Sequence, residues 1–364
     1  MTLGLYIHIP WCLSRCPYCS FFADNYNRKD FDDYFATLLR EKELWRQNGI
    51  PPLSSIYFGG GTPSLLSAQQ IRTIVNSLEL LPGAEITMEL NPIQVTKSFA
   101  SELADTPVNR LSLGVQSMLD DDLLYLGRRH RAADIPQKLQ ILRDAGFTNI
   151  SADFIYGLPN SHNKKVCESL SRLLDIPFEH ISCYLLELAE DCPLAADIPL
   201  LPDDDESNRQ YQLIRDLLEE HGFIQYEISN FALPGRESRH NLLYWESREC
   251  LAWGASASGY YKGRRYQNPA DLKLYSQYIA SGRTGGDTDE SAQEESDYIM
   301  MRLRLVKGLD YAEYQARFGK CFTKGREHGI RKLEELGFIH LDASGLRLLP
   351  DAFFISNAVI TELL

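Results

Sequence analysis

Three cysteines lie close together near the start of the chain. Cys12, Cys16 and Cys19 have the spacing C-x3-C-x2-C and follow an apolar run at residues 3–9 that predicts a strand. Three thiolates can hold three corners of a [4Fe–4S] cluster and leave the fourth iron without a protein ligand. An iron with an open position can bind a substrate as well as pass electrons. The spacing therefore predicts an iron–sulfur site with one open iron.

Zinc and disulfides are the alternative uses of these thiols. A structural zinc ion normally has four protein ligands, and neither a fourth cysteine nor a well-spaced histidine lies near the three. The chain shows no secretory signal, and scattered cysteines are typical of a reducing cytoplasm rather than of a disulfide framework. The sequence thus favours a cytoplasmic iron–sulfur protein. The remaining cysteines are expected to be small buried apolar residues: Cys167, Cys183, Cys192, Cys250 and Cys321.

Composition limits the classes of partner. The 364 residues are 44% hydrophobic and 24% charged, and no apolar run approaches the roughly 20 residues that a membrane-spanning helix needs. The formal net charge of -13 argues against a nucleic acid bound through its phosphates. We therefore expect a protein without a transmembrane anchor and without a nucleic-acid partner.

Alternating strands and helices position the chemical residues. Strands are predicted at 3–9, 55–58, 85–90, 110–115, 149–155 and 180–185, with helices between them, for example at 31–45, 135–145 and 165–174. Six such units imply a parallel sheet, although periodicity alone does not separate a barrel from a doubly wound sheet. The cysteine loop, the glycine run at 59–61, Glu89, Gln116 and Asp153 all fall at or just beyond the carboxyl ends of predicted strands. We expect them to share one cavity, because α/β enzymes build active sites at that edge.

The last third of the chain has a different pattern. Residues 236–271 are expected to be irregular, and from about residue 291 helices are predicted at 296–305, from 309–311 onward and at 325–336, followed by two wing strands. This pattern is typical of a winged helix, and the acidic chain favours a packing or partner role for it over DNA binding. The predicted divisions are 1–235, 236–290 and 291–364.

Five ordered motifs carry a family resemblance. They are YIHIPWC at 6–12, GGGTP at 59–63, ELNP at 89–92, GVQS at 114–117 and DFIYGLP at 153–159. Together with the cysteines they resemble the radical S-adenosylmethionine (SAM) superfamily, in the branch that contains oxygen-independent coproporphyrinogen III dehydrogenase (HemN) and the heme chaperones (HemW). The resemblance implies an α/β fold, a partial (β/α)6 TIM-like barrel with a small C-terminal winged-helix-like α+β domain.

The resemblance also implies a SAM site. In this family the open iron binds the amino and carboxylate groups of SAM, and an electron from the cluster releases a 5′-deoxyadenosyl radical. Independently of the family, a glycine run lets the backbone approach a ligand closely, and an acid at a strand end can accept hydrogen bonds from it. Arg128 also fits a solvated face, because Arg129 and Arg131 flank it. The SAM positions implied are Tyr6, Gly60, Gly61, Thr62, Glu89, Gln116, Arg128 and Asp153.

Two features distinguish the branches. Relatives that decarboxylate coproporphyrinogen carry a fourth cysteine where this chain has Phe21, and they have a longer segment before the cluster. The run HNLLYW at 240–245 instead matches the HNxxYW motif of the heme-chaperone branch. The resemblance implies heme binding through His240, Tyr244 and Trp245, because imidazole is a good axial ligand and aromatic rings pack on porphyrins. The alternative is that these three residues are satisfied core residues.

Some positions depart from the family pattern. Residues 252–259 match only part of the usual G-x-G-A-x-x-S segment, and an expected acidic residue is displaced to Glu187 or Glu190. We expect a heme chaperone that receives electrons from a donor and delivers heme to client apo-heme proteins. A coproporphyrinogen dehydrogenase and a non-enzymatic iron–sulfur protein are the alternatives. The sequence leaves open a peripheral membrane contact and a homodimer.

Overall fold

The strands form mainly one sheet in this computed structural model, which describes residues 2–288 and 294–364. In chain order the strands are β1 (Gly4–Ile9), β2 (Trp11–Cys12), β3 (Asp24–Asn25), β4 (Leu53–Gly60), β5 (Leu80–Leu90), β6 (Arg110–Gln116), β7 (Ile150–Tyr156), β8 (His180–Leu185), β9 (Ile224–Gln225), β10 (Asn230–Ala232), β11 (Cys250–Trp253), β12 (Ser258–Tyr261), β13 (Arg264–Gln267), β14 (Asp287–Thr288), β15 (Leu309–Asp310), β16 (Ile339–Leu341) and β17 (Gly345–Leu348). All six strands predicted from the sequence are present.

Helices follow most of the parallel strands and cover the outside of the sheet. In chain order they are α1 (Arg28–Gln47), α2 (Ala68–Val75), α3 (Lys97–Ala104), α4 (Asp120–Tyr125), α5 (Ile135–Asp144), α6 (Asn163–Leu174), α7 (Asp204–Glu220), α8 (Arg239–Trp245), α9 (Leu272–Ala280), α10 (Glu294–Arg302), α11 (Tyr311–Phe318), α12 (Glu327–Glu335) and α13 (Ser356–Thr361). The start of α2 shows why they begin where they do. Ser67 and Gln70 form a capping box that satisfies free backbone amides of the first turn.

The large sheet has the order β14-β13-β12-β11-β1-β4-β5-β6-β7-β8-β10-β9. Its seven central strands, from β11 to β8, are parallel. The six predicted strands lie side by side in chain order, without the reversal of strand order that a doubly wound sheet contains, and among the described residues the two outermost strands do not pair with each other, so the sheet is a partial barrel. The choice that periodicity left open is thus decided in favour of the barrel.

Side chains alternate along these strands. One set is apolar and packs under the helices, as Leu5, Ile56 and Leu111 do. The other set is largely polar and faces the barrel interior, where Ser112 bonds to Asp153 across neighbouring strands. Because both faces of a parallel sheet are covered, polar residues on the inner face mark a lined cavity rather than a solvated surface.

The stretch from 236 to 271, expected to be irregular, is ordered. It contains α8, the parallel strand β11 beside β1, the β12–β13 hairpin and the start of the segment before α9. The expectation was wrong because α8 has only seven residues and β11 only four, too few for periodicity to show. Moreover, β11 pairs with a strand more than two hundred residues earlier in the chain, which local sequence does not reveal.

The C-terminal part agrees with the winged-helix prediction. Helices α10, α11 and α12 and the wing strands β16 and β17 are present, and a further short strand, β15, completes a sheet of order β15-β17-β16. The predicted division at 290/291 lies outside the described residues, and the domain limits stay predictions. Within the residues that the structure describes, no helix combines the length and the apolar character needed to cross a bilayer.

Candidate functional site

A cavity of about 440 Å³ opens at the carboxyl ends of the parallel strands. This volume lies within the range of small-molecule sites. It brings together all three predicted cluster cysteines and seven of the eight predicted SAM residues. The predicted residues that line it are Cys12, Cys16, Cys19, Gly60, Gly61, Thr62, Glu89, Gln116, Arg128 and Asp153.

The three cysteines sit on a loop that is anchored at its base. Trp11 is buried and packs edge-on against Tyr34, at 4.7 Å between ring centroids, and β2 pairs with β3 to close the loop. All three thiols are free and half-buried, and burial raises the pKa of Cys12 and Cys19. Among the described residues no group of three cysteine, histidine or acidic side chains is arranged to hold a single metal ion. Three free thiols on one cavity wall fit the donor set of a [4Fe–4S] cluster with one open iron.

The glycine run is required by close approach. Gly60 has a φ of 112°, and a Cβ there would come within 2.6 Å of the His8 ring. A Cβ at Gly61 would come within 2.6 Å of the carbonyl oxygen of Trp11, on the cysteine loop. The run thus lets β4 end directly against β1 and the cysteine loop.

Two carboxyl groups face the cavity from neighbouring positions. Glu89 accepts hydrogen bonds from the Tyr57 hydroxyl (2.9 Å) and the Gly60 amide (3.1 Å). Asp153 accepts one from the Ser112 hydroxyl (3.0 Å). Burial raises the pKa of Glu89 to about 8, with the Asp153 charge adding to it, and burial raises the pKa of Asp153 to about 6. Both carboxyl groups therefore hold a proton more readily than ordinary acids, so the cavity can donate hydrogen bonds to a bound ligand as well as accept them from it.

Arg128 belongs to the cavity and not to a solvated face. Its guanidinium donates to the Gly114 carbonyl (2.8 Å) and points a second nitrogen at the Cys16 sulfur (3.4 Å). Its Nε is buried without a partner. A Cβ at Gly114 would lie only 3.0 Å from Gln116 and 3.1 Å from Arg128, so this glycine gives both side chains their room. Arg128 places a fixed positive charge beside the cysteines.

Tyr6 is the one predicted SAM residue that does not line the cavity. Its hydroxyl bonds to Nδ1 of His8 (2.9 Å), while Nε2 of His8 bonds to the Phe22 carbonyl (2.9 Å). Because a carbonyl only accepts, Nε2 carries the proton and Nδ1 accepts from Tyr6. Burial also lowers the pKa of His8. Tyr6 therefore lies one layer away from the cavity, where its hydroxyl orients His8, and His8 ties β1 to the end of the cysteine loop.

The geometry does not support the heme ligand predicted at His240. Its side chain is 1% exposed, Nδ1 bonds to the Ser55 hydroxyl (2.8 Å), and Nε2 bonds to the Tyr244 hydroxyl (3.2 Å). Trp245 lies under the guanidinium of Arg304, 5.8 Å from its ring. With both ring nitrogens bonded inside the barrel, His240 offers none to an iron. The alternative interpretation, a satisfied core residue, fits His240 in this structure, while a heme contact at Tyr244 and Trp245 stays a prediction.

The outer part of the cavity is apolar, which motif spacing did not indicate. Phe21 is 66% exposed and Tyr184 is 43% exposed at the mouth. The sequence left two positions for the displaced acidic residue of the family pattern, Glu187 and Glu190. Of these two, only Glu187 lines the cavity. Tyr57 and Tyr184 also line the cavity but were not predicted from the sequence. The signal that could have found them is their position near the ends of strands, on the face that turns inward. The apolar lining residues are Phe21, Ala23, Ile155, Tyr184, Leu185 and Leu186.

A loop with three free cysteines beside a cavity in a partial barrel is the arrangement of a radical SAM protein, and residues 6–173 match the model of the Radical SAM superfamily. Residues 296–355 match the HemN C-terminal domain. The heme chaperone HemW of Lactococcus lactis subsp. lactis is 32% identical over 99% of this chain and 96% of that protein, and the HemW of Bacillus subtilis is 32% identical over 97% of each. The chain therefore belongs to the HemW family of radical SAM proteins.

A solved structure confirms the fold. Coproporphyrinogen III oxidase (HemN) from Escherichia coli, described as a radical SAM enzyme, superposes with a TM-score of 0.83 at 21% sequence identity. The superposition covers 100% of this chain and 90% of that one. At this level of identity the likeness concerns architecture, and it confirms the barrel with its C-terminal domain.

Proposed function

We propose that this protein binds heme and delivers it to client heme proteins, with a [4Fe–4S] cluster and SAM bound in the cavity. The observation that carries the proposal is the 32% identity, over nearly the whole chain, to proteins named heme chaperones. The cavity supports it, because cluster thiols, polar SAM positions and an apolar mouth lie in one place.

The residues on the inner side of the cavity suit the cluster and SAM. Cys12, Cys16 and Cys19 would hold three irons, and the cluster supplies an open iron for the amino and carboxylate groups of SAM and an electron from an external donor. Glu89 and Asp153 are placed to accept hydrogen bonds from ammonium or ribose hydroxyl groups, and the first of them can also donate one. The chain's own contribution is to bind and orient the ligand.

The apolar mouth suits a porphyrin. Phe21 and Tyr184 expose aromatic surface on two different elements, the cysteine loop and the end of β8. Large flat apolar molecules gain free energy from such surfaces, about 25 cal/mol per Å² of area removed from water. Phe21 also stands where relatives that decarboxylate coproporphyrinogen carry a cysteine. We place heme here, beside SAM, and not at His240.

Heme titration and transfer test the proposal. Anaerobically reconstituted protein should bind heme, seen by its visible absorption, and pass it to an apo-heme protein. Phe21→Ala should weaken heme binding about tenfold through lost contact area. Leu274→Ala is the matched control, since Leu274 is 58% exposed but lies on α9, away from the cavity. Equal effects of the two substitutions would remove the mouth from the proposal.

Anaerobic turnover tests the chaperone assignment itself. Incubation with coproporphyrinogen III, SAM and a reductant should give no sustained formation of protoporphyrinogen. Robust multiple turnover would overturn the chaperone assignment in favour of the dehydrogenase. If reduced protein released no 5′-deoxyadenosine from SAM, the cluster would instead be a structural or electron-transfer group.

A further inference from the structure

The ring of Tyr57, which lines the cavity, stacks on two other rings. It stacks on Tyr6, with centroids 6.1 Å apart and planes 25° apart. It also stacks on His240, with centroids 5.2 Å apart and planes 30° apart. Its hydroxyl then donates to Oε1 of Glu89 at 2.9 Å. The two ring contacts therefore limit the positions that the Tyr57 hydroxyl can take.

His240 is itself fixed from several directions. Ser55 and Tyr244 bond to its two ring nitrogens, and the Cys250 sulfur lies 3.9 Å from Nε2. Its backbone amide donates to the buried carboxyl of Glu85 at 3.0 Å, which ties the start of α8 to β5. Burial lowers the pKa of His240 to about 3, so the ring stays neutral at any ordinary pH. The imidazole is thus a rigid neutral plate under Tyr57.

We infer that His240 is a positioning residue for the SAM site, which acts by clamping Tyr57 so that its hydroxyl orients the carboxyl group of Glu89. This inference rests on SAM binding in the cavity, as proposed above. It gives the HNxxYW segment a role at the amino-terminal floor of the barrel, with no contact between His240 and either SAM or heme. Without the clamp, the Tyr57 ring can turn into the vacated space and its hydroxyl leaves Glu89.

A double-mutant cycle tests the coupling directly. In cluster-reconstituted protein, His240→Ala and Tyr57→Phe should each weaken SAM binding about tenfold, because each removes the same oriented hydrogen bond to a carboxyl group. The double variant should also lose only about tenfold, since the second change finds nothing left to remove. A loss of about a hundredfold in the double variant would mean independent effects and would overturn the inference.

Ring-preserving variants keep the test decisive if His240→Ala does not fold. His240→Phe keeps a flat ring under Tyr57, and we expect SAM affinity within about threefold of wild type despite the lost polar contacts. His240→Gln keeps a polar group but no ring, and it should lose about tenfold. A reversed order, with Gln retaining affinity and Phe losing it, would refute the clamp.

Heme binding separates this inference from the proposed function. His240→Ala should keep wild-type heme affinity. A variant that loses heme but retains SAM would return His240 to the heme site and overturn the inference. If wild-type protein bound heme but no SAM, that result would instead contradict the assignment of SAM to the cavity, on which the inference rests.

Discussion

At the scale of single residues, the cavity depends on glycines, because their lack of a Cβ atom leaves room for neighbouring groups. Gly60 combines a left-handed backbone with a Cβ position only 2.6 Å from the His8 ring, while its amide holds Glu89. Motif spacing predicted the glycine but not these contacts, because they join β4 to β1 and β5 in three dimensions. Tyr6 shows the opposite case, since the family resemblance placed it in the site, whereas its hydroxyl bonds to His8 and its side chain does not line the cavity.

Gly60→Ala should therefore damage the site more than an ordinary glycine replacement. We expect a loss of about 2–4 kcal/mol in the free energy of unfolding, from backbone strain plus the clash, and SAM binding weakened at least about tenfold. Gly49→Ala is the matched control, because Gly49 also has a positive φ (77°) but a Cβ there would have no neighbour within 4 Å. Gly49→Ala should lower the free energy of unfolding by about 1 kcal/mol, from backbone strain alone, as measured by urea unfolding. Equal losses in the two variants would contradict the clash.

At the scale of elements, a buried carboxyl group holds the loop after β11. Glu41 on α1 is 0% exposed and accepts hydrogen bonds from the Gly254 amide (2.8 Å), Asn268 (3.0 Å) and Tyr275 (2.6 Å). This loop in turn packs on β1, beside the cysteine loop, where Tyr34 donates to the His8 carbonyl. A glutamate in the middle of an amphipathic helix looks like a surface residue in the sequence, so only the packing of α1 against α9 and β11 reveals it.

Glu41→Ala should lower the free energy of unfolding by on the order of 3 kcal/mol, because it leaves three buried donors without an acceptor. Burial raises the pKa of Glu41 from 4.5 to about 7, so its contribution to stability is complete below about 4.5 and is lost as the pH rises through about 7. The destabilisation by Glu41→Ala should therefore shrink across that interval, measured by urea unfolding at several pH values. Exposed Glu43 on the same helix is the control, and Glu43→Ala should change stability by less than about 0.5 kcal/mol at every pH. If the destabilisation by Glu41→Ala grew with pH, the pKa of Glu41 in the folded protein would be lowered and not raised.

The length and pairing of an element determine whether it can be predicted from the sequence. The six βα units were predictable, because each strand is followed by a helix of regular period and the pairing joins consecutive units. Strand β11 and helix α8 were not, because both are short and their partners, β1 and the amino ends of β4 and β5, are far away in the chain. The motif drew attention to His240, but the burial of its ring in the barrel floor could not be deduced from the motif.

At the scale of the whole molecule, α8 is one of several elements that join the barrel to the C-terminal domain. His240 points into the barrel, while Trp245 lies under Arg304, and Glu246 pairs with Lys307 at 2.5 Å. A strand bridge between Glu227 and Leu305 adds a backbone connection between the two parts. Helix α8 therefore contacts both the floor of the cavity and the C-terminal domain.

This arrangement predicts that a change at the outer face of α8 reaches the cavity. Trp245→Ala should lower the free energy of unfolding by about 2 kcal/mol, because a half-buried indole is lost between two packed parts. It should also weaken SAM binding by about twofold to fivefold, less than His240→Ala, since α8 is loosened but the His240 ring is retained. Leu336→Ala, at a residue of the C-terminal domain that is 55% exposed, controls for general effects of that domain and should change neither quantity. If Trp245→Ala lowers stability and leaves SAM affinity at the wild-type value, α8 joins the two parts without transmitting anything to the site.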